Sequence, residues 1–194
     1  ESQVPGAMLY YAQSQDTGTN AVDESGTGNH GWMSNAMYVV DGRFAGGFGM
    51  TNGSIIAPIT NLNMATNSSV SLSFWWKSPV SPKNITFASK RIAGSENLGL
   101  YFGLDELGRY YLHTRVSHAA KYSVSLTSNT WYHCVLIKNQ NSWKIYHNGS
   151  ELGLISTIGW PYNADISTEA SLWFGRDNLE CAGPFKGSLD EITL

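Results

Sequence analysis

Charged residues are scarce in this chain. Asp, Glu, Lys and Arg make up 14% of its 194 residues, whereas an average soluble domain has about 25%. The formal net charge is −3 and no run of Lys or Arg forms a basic stripe, so the composition argues against binding to nucleic acid. No apolar run approaches the roughly 18 residues that cross a bilayer. Residues 1–6 lack the basic start and apolar core of a signal peptide.

Cysteine is rarer still, with only Cys134 and Cys181 in the whole chain. A disulfide between them would stabilise the fold by about 4 kcal/mol in the chain-entropy model. The alternative is two thiols, because Cys134 lies in a predicted strand, where a free cysteine packs as a small hydrophobic residue. We predict the disulfide and keep the thiols as the alternative.

Short strands are what the sequence does contain. Residues 131–149 give the clearest signal and predict a β-hairpin, with two apolar segments flanking a polar turn at 139–142. Residues 70–77 alternate, which predicts a strand with Phe74 and Trp76 on an apolar face and Trp75 on the opposite one. About thirteen such strands follow one another, with turn residues every 8 to 14 positions and no convincing long helix.

This pattern predicts an all-β fold, specifically a two-sheet antiparallel jelly-roll β-sandwich. No internal repeat and no Pro-rich linker divides the chain. We therefore expect one domain over residues 1–194.

Several short motifs, each weak alone, together resemble the LamG-like jelly-roll domains of the concanavalin A-like lectin/glucanase superfamily. In chain order they lie at residues 22–31, 41–48, 72–77, 131–133, 146–149, 174–176 and 187–192. The resemblance implies a concanavalin A-like fold. It leaves the function broad, because the family holds carbohydrate-binding modules, adhesion and receptor domains and pentraxin-like proteins.

A polar loop near the N-terminus is a candidate metal site. Its side-chain oxygens are spaced by two, at Asp23, Ser25, Thr27 and Asn29, which would let them surround a hard cation. The resemblance implies a structural Ca²⁺ held by Asp23 and Asn29 together with Asp190. The alternative is a turn in which Asp23 accepts hydrogen bonds from its own loop.

Sugars are bound by aromatic faces next to polar groups, and the chain has seven Trp residues. The predicted ligand-binding residues are Trp75, Trp143, Trp160, Tyr162, Arg176 and Asp177. The pair Tyr110 and Tyr111 is a weaker candidate. The alternative for each aromatic residue is packing within the core.

Catalytic signatures are missing, since Asp190 and Glu191 are adjacent and would point to opposite faces of a strand. We therefore expect a protein that is not an enzyme: an extracellular, secreted or cell-surface, carbohydrate-binding (lectin-like) or adhesion module with a structural calcium ion. Its expected partner is a glycan or polysaccharide, with no nucleic acid and no membrane insertion. The alternative is a protein-interaction or structural module of a larger adhesin, receptor or phage surface protein, and the third option is a glycoside hydrolase.

Overall fold

The structure is a computed structural model that describes residues 4–14, 18–94, 97–115, 117–160 and 165–194. These residues form fifteen β-strands and no helix. The strands are β1 (Tyr10–Tyr11), β2 (Asn20–Ala21), β3 (Gly31–Val39), β4 (Gly47–Ala57), β5 (Ser69–Lys77), β6 (Ile85–Arg91), β7 (Gly99–Leu104), β8 (Tyr110–Arg115), β9 (His118–Tyr122), β10 (Tyr132–Asn139), β11 (Ser142–His147), β12 (Ser150–Glu151), β13 (Leu154–Ile158), β14 (Leu172–Phe174) and β15 (Lys186–Thr193).

Hydrogen bonds join these strands into one antiparallel sheet. Its order is β12-β11-β10-β5-β15-β4-β14-β6-β7-β8-β9-β13, with β1 beside β15 and β3 between β2 and β4. The all-β prediction is confirmed, but the prediction of two separate sheets is not. The reason is β14, which pairs with β4 on one side and with β6 on the other and so links the two halves.

The two halves of the sheet face each other across one core. Phe74 of β5 lies 5.2 Å from Phe87 of β6 and 6.3 Å from Phe102 of β7, measured between ring centroids. The indole Nε1 of Trp76 donates a hydrogen bond of 3.1 Å to the hydroxyl of Tyr110 on β8. Because all of these side chains are buried, the curled sheet closes over its own apolar face.

The predicted hairpin and the predicted alternation are both confirmed. Strands β10 and β11 pair in register up to Asn139 and Ser142, which close a two-residue turn. In β5, Phe74 and Trp76 are buried at 2% and 0% exposure, and Trp75 lies on the opposite face. Strand β10 pairs with β5 at its other edge, so the hairpin extends the first half of the sheet.

A buried lysine fixes two loops to β6. Lys90 is 1% exposed, and its ammonium donates hydrogen bonds to the carbonyl oxygens of Ile59 at 2.8 Å, Thr60 at 3.3 Å, Thr168 at 2.9 Å and Ala170. Hydrogen bonds to the charged form offset much of the cost of removing an ammonium from water. The loops before β5 and before β14 are therefore held by one side chain.

Replacing this lysine tests how much it contributes. Lys90→Met keeps the aliphatic stem but leaves buried carbonyls without their donor, so we expect the free energy of unfolding to fall by about 3 kcal/mol or more. Urea unfolding followed by tryptophan fluorescence measures the change. The control is Lys144→Met on β11, a half-exposed lysine, which is expected to change stability by less than about 1 kcal/mol. Equal stability of the two variants would contradict the role given to Lys90.

Candidate functional site

The hairpin of β7 and β8 carries a group of aromatic side chains on the face opposite the core. Alternation places Phe102 and Leu112 in the core and turns Tyr101, Tyr111 and His113 the other way. The register pairs Tyr101 with His113, so the three rings become neighbours although they belong to two strands.

These three rings line a cleft of about 320 Å³. Their centroids lie 6.0 Å apart for Tyr101 and Tyr111, 6.1 Å for Tyr101 and His113, and 6.0 Å for Tyr111 and His113. Tyr101 and His113 are almost buried, at 4% and 7% exposure, whereas Tyr111 is partly exposed. Tyr111 is therefore the ring that a bound molecule can reach most readily.

A buried ion pair forms one wall of the cleft. Arg91, at the end of β6, donates to Asp177 through Nε at 3.2 Å and through a second, shorter contact from Nη2. Asp177 is fully buried and also accepts hydrogen bonds from the Ser89 hydroxyl at 2.7 Å and the Cys181 amide at 2.9 Å. The Arg91 guanidinium lies 5.2 Å from the ring centroid of Tyr101. The positive charge at this wall is thus already paired.

The turn between β7 and β8 closes one end of the cleft. Asp105 accepts hydrogen bonds from the backbone amides of Leu107 and Arg109 and pairs with the Arg109 side chain at 2.6 Å. Burial acts to raise the pKa of Asp105, but the hydrogen bonds from Arg109 and Leu107 outweigh it and lower the pKa below its usual value. Lys121 lies 3.3 Å from Asp105 and 5.3 Å from the ring of Tyr111. This carboxylate is therefore a fixed structural anion.

His113 is a neutral imidazole in the cleft wall. Burial, with a further contribution from the charge of Arg91, lowers the pKa of His113 to about 4. Its Nδ1 has no hydrogen-bond partner within the described residues. A neutral imidazole offers one donor and one acceptor. That nitrogen is buried, but the polar side chains of Asn84 and Glu106 also line the cleft. The cleft therefore combines aromatic faces with polar groups and suits a hydroxyl-rich molecule.

Trp75, a predicted ligand residue, lies elsewhere, on the outer face of β5. Its ring centroid is 5.7 Å from that of Phe44 and 5.0 Å from that of His133, and the Arg43 guanidinium lies 4.6 Å from it. Phe44 is 63% exposed. This surface aromatic cluster is separate from the cleft of Tyr101, Tyr111 and His113.

The other predicted ligand residues do not converge on one site. The ring centroids of Trp143 and Trp160 lie 5.9 Å apart, and both residues are partly buried against the core. Both therefore follow the alternative of core packing. Arg176 forms an ion pair with Glu180 at 2.7 Å. Asp177 is taken up by its ion pair with Arg91, and burial keeps it from a ligand. Tyr162 lies outside the described residues.

Sequence reasoning missed Tyr101, His113 and Arg91 as lining residues, and noted Tyr111 only as a weak candidate. The sequence contains a signal for Tyr101 and His113. The turn at 105–108 predicts a hairpin, and alternation along its two strands would have put Tyr101 on the same face as Tyr111 and His113. No local pattern marks Arg91, because its partner Asp177 is 86 residues away.

The predicted disulfide is not present, since both cysteines are free. Cys134 lies in β10 and is completely buried in the core, and burial raises its pKa to about 12. Cys181 is exposed, in the segment after β14 where its amide binds Asp177. One side chain points into the core and the other lies on the surface, which is why they do not pair. The alternative of two thiols is what the structure has.

Asp23 organises the loop that the sequence marked as a metal site. Its Oδ1 accepts hydrogen bonds from the amides of Tyr10 at 2.9 Å and Ser25 at 3.0 Å. Its Oδ2 accepts from the Asn29 amide at 2.8 Å and the Thr27 hydroxyl at 2.9 Å. Burial acts to raise the pKa of Asp23, but these hydrogen bonds lower it to about 2. A carboxylate has about four acceptor positions, and all of them are used here.

Asp190 is engaged by a different loop. It is fully buried and accepts hydrogen bonds from the amides of Arg43 at 2.6 Å, Phe44 at 3.3 Å and Glu191 at 2.8 Å. Burial raises the pKa of Asp190 to about 6. Within the described part of the chain, no three His, Cys, Asp or Glu side chains gather in a way that could hold a metal. Because the oxygens of Asp23 are occupied and Asp190 is bound by a different loop, the donor set does not fit a calcium ion shared by Asp23, Asn29 and Asp190.

A family model described as the concanavalin A-like lectin/glucanases superfamily matches residues 48–194. This match covers more than half of the chain, and the chain belongs to this superfamily. The resemblance drawn from the ordered motifs is thereby confirmed. No curated protein matches the chain in sequence.

Solved structures with a similar fold come from several sources. Domain 4 of AbnA, a GH43 extracellular arabinanase from Geobacillus stearothermophilus solved with arabinotriose, is 17% identical with a TM-score of 0.71, covering 96% of this chain and 90% of that one. A Trypanosoma rangeli sialidase mutant displaying trans-sialidase activity is 15% identical with a TM-score of 0.71, covering 97% and 30%. A botulinum neurotoxin serotype D/C binding domain is 16% identical with a TM-score of 0.66, covering 96% and 48%.

These structures correct one expectation. The chain was expected not to be an enzyme, but its fold occurs in a domain of an arabinanase and in sialidases, so the missing carboxylate motif does not support that exclusion. At identities of 15–17% the likeness shows the fold alone.

Within the described residues, no helix is long and apolar enough to cross a membrane.

A calcium titration tests the account of the Asp23 loop. Because every acceptor position of Asp23 is occupied, we expect EGTA and CaCl₂ to give the same unfolding temperature. Asp23→Ala should lower stability at pH 7 by about 2 kcal/mol in both buffers, since a pKa depressed to about 2 reflects that much stabilisation of the carboxylate.

The control is Asp41→Ala. The Asp41 side chain is exposed, so removing its carboxylate should leave stability nearly unchanged. Differential scanning calorimetry measures both variants. A rise of several degrees with calcium that Asp23→Ala abolishes would contradict this account and support the metal site implied by the family resemblance.

Proposed function

We propose that this domain binds carbohydrate in the cleft lined by Tyr101, Tyr111 and His113. The observation that carries the proposal is the convergence of these three rings on a cleft of about 320 Å³ that the polar side chains of Asn84 and Glu106 also line. Sugar rings present apolar C–H patches next to hydroxyl groups, and aromatic faces with nearby polar groups complement both.

The charges around the cleft support this ligand class. Arg91 is paired with Asp177, and Asp105 is paired with Arg109 and Lys121. These groups can still accept or donate hydrogen bonds at their remaining positions, but they do not demand a counter-ion from the ligand. A neutral, hydroxyl-rich molecule therefore needs no compensation for buried charge when it enters.

The comparisons support the proposal by analogy of fold. A domain of similar fold was solved with arabinotriose and belongs to an enzyme described as extracellular. On that basis, and on the low content of charged residues, we propose that the domain acts outside the cell or at the cell surface as a lectin-like or adhesion module. Calcium is not part of this proposal, because the donors at Asp23 and Asp190 do not fit the ion.

The test is a glycan array followed by titration calorimetry with the strongest binder. Tyr111→Ala removes the most accessible ring of the cleft, so we expect affinity to fall at least about tenfold, equal to about 1.4 kcal/mol. The control is Tyr146→Ala on β11, another partly exposed tyrosine, whose hydroxyl contacts Glu151 away from the cleft. This variant should bind like the wild type.

Two results would contradict the proposal: equal loss in both tyrosine variants, or no binding to any glycan on the array. The second result would favour a different function, which rests on another surface.

Strand β13 exposes Leu154, Ile155 and Ile158 at 51%, 49% and 59%. An exposed apolar edge strand is typical of a protein-interaction surface, and it favours a protein-interaction module as the second candidate.

A further inference from the structure

A second and larger cavity lies directly beside the aromatic cleft. Its volume is about 630 Å³, and it shares the lining residues Asn84 and Glu106 with the cleft. The two cavities are thus neighbours on one surface, separated by these two side chains. The aromatic cleft is near the lower end of the 300–1,000 Å³ range typical of ligand sites, and the second cavity is near its middle.

Three segments that build the second cavity are joined by backbone hydrogen bonds. The amide of Asn84, before β6, donates to the carbonyl of Asp105 at 2.8 Å in the turn after β7. The amide of Thr86 donates to the carbonyl of Gly183 at 2.9 Å, in the segment before β15. A Cβ at Gly183 would lie 2.2 Å from the Asn84 carbonyl oxygen, so only glycine permits this approach. These walls hold their shape without a ligand.

The lining of the second cavity has two kinds of surface. Val80 and Leu107 are 57% and 74% exposed, which leaves apolar side chains open to water beside Pro82 and Pro184. Lys83 and Lys186 are exposed, and neither forms an ion pair within the described part of the chain. Their ammonium groups are free to donate hydrogen bonds to oxygen atoms of a ligand.

We propose that the second cavity holds further units of the same glycan chain, so that the ligand is an oligosaccharide that runs from the aromatic cleft across Asn84 and Glu106. This inference rests on the proposed carbohydrate binding, and continuity with that cleft is what identifies the occupant. The apolar side chains meet C–H faces of the sugar, and the two lysines donate to its hydroxyl or acidic oxygens. A single sugar in the cleft would leave this whole surface unused.

The test is a length series. Titration calorimetry uses the monosaccharide, disaccharide, trisaccharide and hexasaccharide of the sugar that gives the strongest array signal. For the wild type we expect the affinity to rise at least about tenfold from one unit to three. Leu107→Ala and Lys186→Ala should reduce this rise several-fold and leave the binding of the monosaccharide unchanged.

The variants keep the fold, because the Leu107 and Lys186 side chains are exposed, and Leu107 bonds Asp105 through its backbone amide and not through its side chain. Leu154→Ala, at an exposed leucine outside both cavities, is the control and should behave like the wild type. Equal affinity for one unit and for six, or no effect of either variant, would overturn the inference. The proposed function would stand in that case if Tyr111→Ala still weakened binding of the monosaccharide. Loss of all glycan binding would instead contradict the proposed function itself.

Discussion

The buried ion pair between Arg91 and Asp177 is the constraint on which the cleft depends. It joins the end of β6 to the segment after β14, and Asp177 also holds the backbone amides of Leu179 and Cys181. Removing one partner from a buried pair costs about 3–5 kcal/mol, because the remaining charge is left without compensation. The same pair places the guanidinium beside Tyr101. Burial is the main cause that lowers the pKa of His113, and the charge of Arg91 adds to it, whereas the charge of Asp177 acts in the opposite direction. The wall of the cleft beside Tyr101 thus takes its shape from this interaction.

Buried cations recur in this fold. Of the twelve Lys and Arg residues, three are buried, namely Lys90, Arg91 and Lys138. The Lys138 ammonium donates to the carbonyls of Ala65 at 2.6 Å, Ser68 at 3.0 Å and Gln140 at 2.8 Å, as Lys90 does with its own loops. A chain with few charges therefore uses two buried lysines, Lys90 and Lys138, to fix its loops.

Local patterns were enough to predict the elements of the fold. Alternation gave β5 and its two faces, and the polar turn gave the hairpin of β10 and β11, because both depend on neighbours in sequence. The ordered motifs gave the superfamily. The single continuous sheet could not be predicted, since it depends on β14 pairing with two strands that are far apart in the chain.

The site was less predictable than the fold. Tyr111 and His113 follow from strand alternation, but the ion pair beside them joins residues that no local pattern connects. Asp177 was predicted to face a ligand, whereas it is buried by contacts with Ser89 and Arg91. Similarly, the spacing of oxygen side chains after Asp23 suits a cation and a hydrogen-bonded turn equally well. Only the positions of the donors around each carboxylate distinguish these two possibilities.

The most direct test of the account is an NMR titration that follows the aromatic side-chain signals while a glycan is added. The strongest binder from the array should shift the signals of Tyr111 and His113 in a saturable way. The signals of Trp75 and His133, in the outer cluster on β5 and β10, should stay unchanged. Saturable shifts confined to Trp75 and His133 would contradict the account, because they would place the carbohydrate on the other half of the sheet, on the surface of β5 and β10.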